Sequence, residues 1–175
     1  FGRRGTKGIG DRLTGGRITG VLDGDAVDLD SSVRFGSFAD KHAGQNKSVA
    51  VGGYSLTGAD AANYGINPLT LNASITPFTL NIAGLTGDKV YDGIVTTTLQ
   101  HSGLDAAFVG DDVALDDSAV SASYADKHAG ADKPITLSGS FTLNGSDAGN
   151  YTLNLPDTLT GSISKRNITV DGLTI

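Results

Sequence analysis

The stretch Asp147-Ala148-Gly149-Asn150-Tyr151 sets turn-forming residues directly ahead of an alternating strand, Tyr151, Leu153 and Leu155. It recurs as Asp60-Ala61-Ala62-Asn63-Tyr64, with Ile66 continuing the alternation. Upstream the recurrence widens: Ala39-Asp40-Lys41-His42-Ala43-Gly44 returns as Ala125-Asp126-Lys127-His128-Ala129-Gly130, shifted by 86 positions. From Gly24 to Val51, 14 of 28 positions are identical at that shift, Lys47 with Lys133 among them. One inserted residue brings the two tyrosine stretches into line. Another aligns Pro68 with Pro156, Leu71 with Leu159 and Ile75 with Ile163. Leu80, Ile82, Gly84 and Leu85 are matched once more by Ile168, Val170, Gly172 and Leu173. The chain therefore reads as a tandem array. Residues 1–12 are expected to be irregular or non-native. Residues 13–78 form a first repeat, incomplete at its start, 79–166 a second, and 167–175 the first strand of a third.

The same period-two alternation marks Phe78, Leu80 and Ile82, then Val113 and Leu115, Ile135 and Leu137, and Leu159, Gly161 and Ile163, with Val49 and Val51 in the first copy. Asp92-Gly93, Gly110-Asp111, Ala129-Gly130 and Asn144-Gly145 punctuate them as turns. The expectation is an all-β fold of tandem small β-sandwiches, six or seven short strands each. Asp-x-Gly-x-Tyr resembles the tyrosine corner of immunoglobulin-like domains, whose hydroxyl bonds back to nearby backbone across the adjacent turn. On that reading the sandwich is immunoglobulin-like, and Tyr64 and Tyr151 are largely buried. A β-grasp-like unit, its sheet curled around one helical turn, is the alternative.

Composition narrows the classes. Of 175 residues 25 are Gly, all 19 acidic residues are Asp, and Cys, Met and Trp are absent. Lacking the helix formers Glu and Met and rich in turn formers, such a chain excludes a helical bundle. Without Cys there is no disulfide, Cys-ligated zinc or thiol nucleophile. The missing Met leads us to expect a piece excised from a longer frame. No apolar run approaches the roughly 18 residues that span a bilayer. The basic start, with 5 of the 13 basic residues in the first 17 positions, leads into glycines rather than the apolar segment of a signal peptide. A net charge of −6 argues against nucleic acid, whose binders present basic faces.

Lys89-Val90-Tyr91-Asp92-Gly93, Gly110-Asp111-Asp112-Val113, Tyr124-Ala125-Asp126-Lys127 with Gly130 and Lys133, Ser138-Gly139 and Asp147-Ala148-Gly149-Asn150-Tyr151 follow one another in an order that resembles the YDG-type repeat. The resemblance covers the second copy and residues 13–78 of the first. It implies a secreted, cell-surface segment of a large bacterial adhesin of the filamentous haemagglutinin type, with adhesion and biofilm as its setting. Two departures stand out. The first copy lacks the Tyr-Asp-Gly element, and His42 and His128 stand where the family more often has Asn.

The polar motifs admit chemical and structural readings. Asp126-Lys127-His128, doubled as Asp40-Lys41-His42, offers a general base. Neighbours along a strand point to opposite faces, however, and no nucleophile accompanies them. The favoured reading is a strand-end turn in which Asp accepts backbone N–H groups and Gly130 takes positive φ. Asp111, Asp112, Asp116 and Asp117, like Asp23, Asp25, Asp28 and Asp30, are the candidate calcium ligands, although their spacing matches no EF-hand loop. A solvated face is the favoured alternative; otherwise no cofactor is expected. The aromatic residues recur between copies, Tyr64 with Tyr151 and Phe38 with Tyr124, which points to packing rather than a sugar-stacking platform. Tyr91-Asp92-Gly93 reads as a turn, with Tyr91 against the sheet or the preceding repeat. Asp60, Tyr64, Tyr91, Asp92, Gly93, Asp126, Lys127, Gly130, Asp147, Gly149 and Tyr151 are thus expected to be structural.

Three functions compete. A monomeric stalk would have neighbouring repeats as its main partners, with short junctions at Ile75-Thr76-Pro77-Phe78 and Ile163-Ser164-Lys165-Arg166, and weak host contacts multiplied by avidity. A dedicated module would bind glycan or host protein. An enzyme would need a unique polar pocket. The expectation is the stalk, without catalysis.

Overall fold

The computed structural model describes residue 13 and residues 15–173, so the irregular start expected over residues 1–12 lies outside it. The chain divides into two compact units, residues 1–76 and 77–175. Both are all-β: the described residues hold 14 strands and only single-turn 3-10 segments at Ala61–Asn63 and Ala148–Asn150.

In the first unit β1 (Asp28–Asp30) pairs antiparallel with β4 (Ser55–Thr57). β2 (Phe35–Phe38), β3 (Gly44–Gly52) and β5 (Leu69–Ile75) form a three-stranded sheet with β3 central. The second unit repeats both pairings with β9 (Ala114–Asp116) on β12 (Thr142–Asn144), and β10 (Ser121–Tyr124), β11 (Gly130–Ser138) and β14 (Leu159–Ser164). Registers coincide residue for residue: Val49 opposite Leu71 becomes Ile135 opposite Leu159, and Leu29 opposite Leu56 becomes Leu115 opposite Leu143.

β3 and β11 carry the same bulge, between Gly44 and Lys47 and between Gly130 and Lys133. The left-handed residue there is Asn46 (φ 52°) or Asp132 (φ 50°), short polar side chains that tolerate αL. This corrects the expected positive φ at Gly130, which opens strand β11 instead. The tight turns into β4 and β12 do need glycine. Gly53 (φ 78°) and Gly139 (φ 86°) sit where a Cβ would collide with the backbone carbonyls of Val33 and Ala119.

The second unit has three further strands. β6 (Phe78–Asn81) runs parallel to β13 (Tyr151–Asn154), β7 (Lys89–Val90) runs parallel to β14, and β8 (Thr96–Thr97) flanks β10. The large sheet thus reads β7-β14-β11-β10-β8. Its core gathers Ala122, Tyr124, Ile135, Leu159 and Ile163, against which Leu85, Tyr91, Leu99 and Leu137 pack. Among the described residues of the first unit, only Leu13 and Val49 are buried apolar residues.

Among the described residues, two expected strands have no partner. Tyr64–Asn67, counterpart of β13, is extended without strand pairing, and residues 165–173 carry no strand. A strand exists through its partner's hydrogen bonds. Among the described residues nothing supplies a β6 to the first segment or a β13 to the second.

Candidate functional site

The tyrosine stretch is a clasp between loops. In the second unit the Tyr151 hydroxyl donates to Asp111 Oδ2 (2.7 Å) and accepts from the Phe108 N–H (3.2 Å). Asp147 Oδ2 accepts the Asp112 N–H (3.0 Å), while the Asp147 N–H donates to the Asp112 carbonyl (2.9 Å). The first unit repeats all four bonds. Tyr64 donates to Asp25 and accepts from the Leu22 N–H, and Asp60 exchanges the same pair of bonds with Ala26. Hydrogen bonding to Asp25 raises the Tyr64 hydroxyl above its usual pKa.

This geometry corrects the tyrosine-corner reading. The hydroxyl reaches about 40 positions upstream, to a carboxylate and a distant N–H, rather than across its own turn. The rings also differ. Tyr151 is buried, edge-on to Phe78 at 6.5 Å and tilted against Phe108 at 6.2 Å. Tyr64 is only half-buried, and Leu22 stands in the place of Phe108. Gly149 has ordinary φ and open space at its Cβ position, and its counterpart is Ala62, so the motif's glycine meets no backbone demand.

The Asp-Lys-His stretch is a loop pinned from the bulge. Asp126 Oδ1 accepts the His128 N–H (2.8 Å) and binds Lys133 Nζ, which also donates to the His128 carbonyl (2.9 Å). Asp40, His42 and Lys47 make the same set. The lysine hydrogen bond, then the His128 N–H, holds the Asp126 carboxyl below the usual aspartate range; Lys47 and the His42 N–H do so for Asp40. Lys47 and Lys133 stood out in the sequence only as a matched pair; the bulge gives them their role.

Tyr91-Asp92-Gly93 follows β7. The Tyr91 N–H donates to the Ser164 carbonyl (2.9 Å), its ring packs on its own unit's core, and Gly93 has φ 87°. Lys89 Nζ pairs with Asp92 (2.7 Å) and caps the carbonyls of Ile94 (2.9 Å) and Thr96 (2.7 Å), and this lysine lowers the Asp92 pKa. Core packing within the unit is therefore the first role of Tyr91.

The four calcium candidates do not converge. Asp111 serves Tyr151, Asp112 accepts Ser146 N–H and Oγ, Asp116 accepts Ser118 and Asn144, and Asp117 meets His101 Nε2 at 3.3 Å. Among the described residues no three His or Asp side chains are placed to share a metal ion. An open groove of about 550 Å³ is edged by Asp88, Asp92, Ile94, Thr96, Thr98 and Gln100.

Tyr124 was missed as a special position. Its buried hydroxyl donates to the Gly87 carbonyl (2.8 Å), and burial, then Asp88, raises its pKa. Gly161 leaves room for it, since a Cβ there would lie 2.5 Å from that oxygen. The first unit has Phe38 and Ala73 at these places. Without the hydroxyl, the extra methyl is admitted.

The YDG domain family model matches residues 5–71 and again residues 76–161. The chain belongs to the YDG domain family. No curated protein and no solved structure matches it. Both YDG units share the tyrosine clasp and the Asp–Lys loop pin.

Proposed function

We propose that this pair of YDG units is a spacer segment of a large secreted bacterial surface adhesin, non-catalytic and mechanical in role. The observation that carries the reading is the repetition of polar bonds. Tyr64 and Tyr151, Asp60 and Asp147, and Lys47 and Lys133 make the same scaffold contacts in each unit. A catalytic site is built once, whereas residues that hold strands together recur with the fold. Strand direction supports the role: the second unit's early strands β6 and β7 lie parallel to its late strands β13 and β14. A pull on the unit's ends then loads these bonds in shear, where several must break together. We further propose that each unit is an immunoglobulin-like sandwich.

The test is single-molecule stretching of the chain tethered by its ends. Discrete unfolding steps are expected, each releasing roughly 3.5 Å per residue. Smooth extension without steps would overturn the mechanical role, as would a hydrolytic activity abolished by His128→Ala. The polar groove beside β7 favours a second reading, a glycan- or host-protein-binding module. Glycan-array binding lost with Asp92→Ala would establish that reading instead.

A further inference from the structure

We propose that Lys89 is the lock of a flap in the second unit. Its ammonium stands in for the hydrogen-bond ladder between β7 and β8, and the hairpin tip from Asp88 to Thr98 opens when that ammonium is withdrawn. β7 and β8 are the two edges of the five-stranded sheet and also the two arms of one hairpin that turns at Gly93. The hairpin begins as a backbone ladder: Ile82 bridges to Leu104, and Thr86 and Gln100 exchange two N–H to carbonyl bonds (2.9 and 2.8 Å). The same register carried forward puts Lys89 opposite Thr97 and Val90 opposite Thr96. Among the described residues β7 and β8 form no ladder with each other; β7 pairs with β14 and β8 with β10.

Side chains cross the gap in place of main chain. At its inner end the Gly87 carbonyl accepts the hydroxyls of Thr97 (2.7 Å) and Tyr124 (2.8 Å). Farther out the Val95 carbonyl accepts the Tyr124 N–H (2.9 Å), so the Ile94 and Thr96 carbonyls on either side of it point the other way, toward β7. Such acceptors on a strand edge need donors. Lys89 Nζ serves both, at 2.9 and 2.7 Å, and meets Asp92 Oδ1 at 2.7 Å; that carboxylate oxygen also accepts the Ile94 N–H (3.1 Å). All three ammonium donors are thus taken up by this one hairpin, and the lysine side chain is only 11% exposed. The 550 Å³ groove is the outer face of the gap, with Asp88, Val90 and Asp92 on one arm and Ile94, Thr96 and Thr98 on the other. The core lies directly behind it: a Cβ at Gly87 would come within 2.6 Å of Ile135 Cδ1 and 3.6 Å of Leu99 Cδ2. Opening the flap therefore uncovers core, and the backbone bridge at Thr86 and Gln100 limits how far the hairpin unzips.

The test is amide hydrogen exchange of the whole chain carrying Lys89→Ala, with and without propylammonium, which has the atoms that the substitution removes. The amides of Tyr91, Ile94 and Tyr124, bonded within or beside the flap, should exchange roughly tenfold faster than in wild type or more, as the loss of a charge-assisted bond implies. Those of Thr86, Gln100 and β11 should keep their protection. Propylammonium should slow the flap amides again, whereas tetramethylammonium, a cation without an N–H, should not. Lys89→Met keeps the apolar stem and loses only the donors, so it should show the same fast amides without rescue by propylammonium. Unchanged flap amides in both variants, faster exchange spread evenly through the unit, or equal effects of the two cations would each overturn the proposal.

Discussion

At Tyr151 the ring packs edge-on against Phe78 while one oxygen joins the Phe108 N–H to the Asp111 carboxylate, so two substitutions separate packing from bonding. Tyr151→Phe removes only the bridge between loops and should cost about 1–3 kcal/mol, the range for a bond to a charged partner. Tyr151→Ala adds a cavity and should cost about 3–5 kcal/mol. Chemical denaturation checks both; equal losses would contradict the division. Gly161 poses the opposite problem. An added methyl would press on the Tyr124 hydroxyl and on Ile135 Cδ1 at 3.0 Å, and Gly161→Ala should destabilise by about 1–3 kcal/mol. The first unit already pairs Phe38 with Ala73, so Tyr124→Phe in the Gly161→Ala background should recover part of the loss. A double-mutant cycle with no coupling would refute the steric account.

For strands β3 and β11 the element that matters is the bulge with its lysine. The bulge sends Lys133 back over the loop, where it ties Asp126 to the His128 carbonyl. Asp126 has its pKa lowered in the folded protein, so the unfolded chain binds protons more readily. The stabilisation is present above the ordinary aspartate pKa and fades as pH falls through it toward the depressed folded value. Asp40 and Asp92 act in the same direction. Melting temperature should therefore fall on acidification through this window, and Asp126→Asn should flatten the fall. All three aspartates are solvent-exposed, so high salt should shrink the effect. A pH profile identical for wild type and Asp126→Asn would refute it.

Across the whole molecule, the two units share a plan but not a core. The second buries Leu80, Tyr124, Phe141, Tyr151 and Ile163, whereas the described part of the first buries Leu13 and Val49. Apolar burial is the main favourable term in folding. Calorimetry of the chain should accordingly show two transitions, the first unit melting at the lower temperature. Hydrogen exchange should find amides of β3 opening before those of β11. A single transition, or the reverse order, would count against this.

Much of this plan was legible in the chain. The 86-residue shift, the alternating strands and the turn glycines are local or periodic signals, and they point to β units built twice. Side-chain alternation says which face a residue takes but not which strand lies beside it. The parallel pairing of β6 with β13 was therefore invisible. The same limit applied to the polar residues. Asp-x-Gly-x-Tyr suggested a local corner, and only the folded chain brings Asp111 and Phe108 to the tyrosine hydroxyl. Lys133 looked like one identity among many until the bulge turned it onto Asp126. Periodicity along the chain thus determined the elements and their repetition. Partnership across the chain depends on which distant segments close together, and that was decided by tertiary packing.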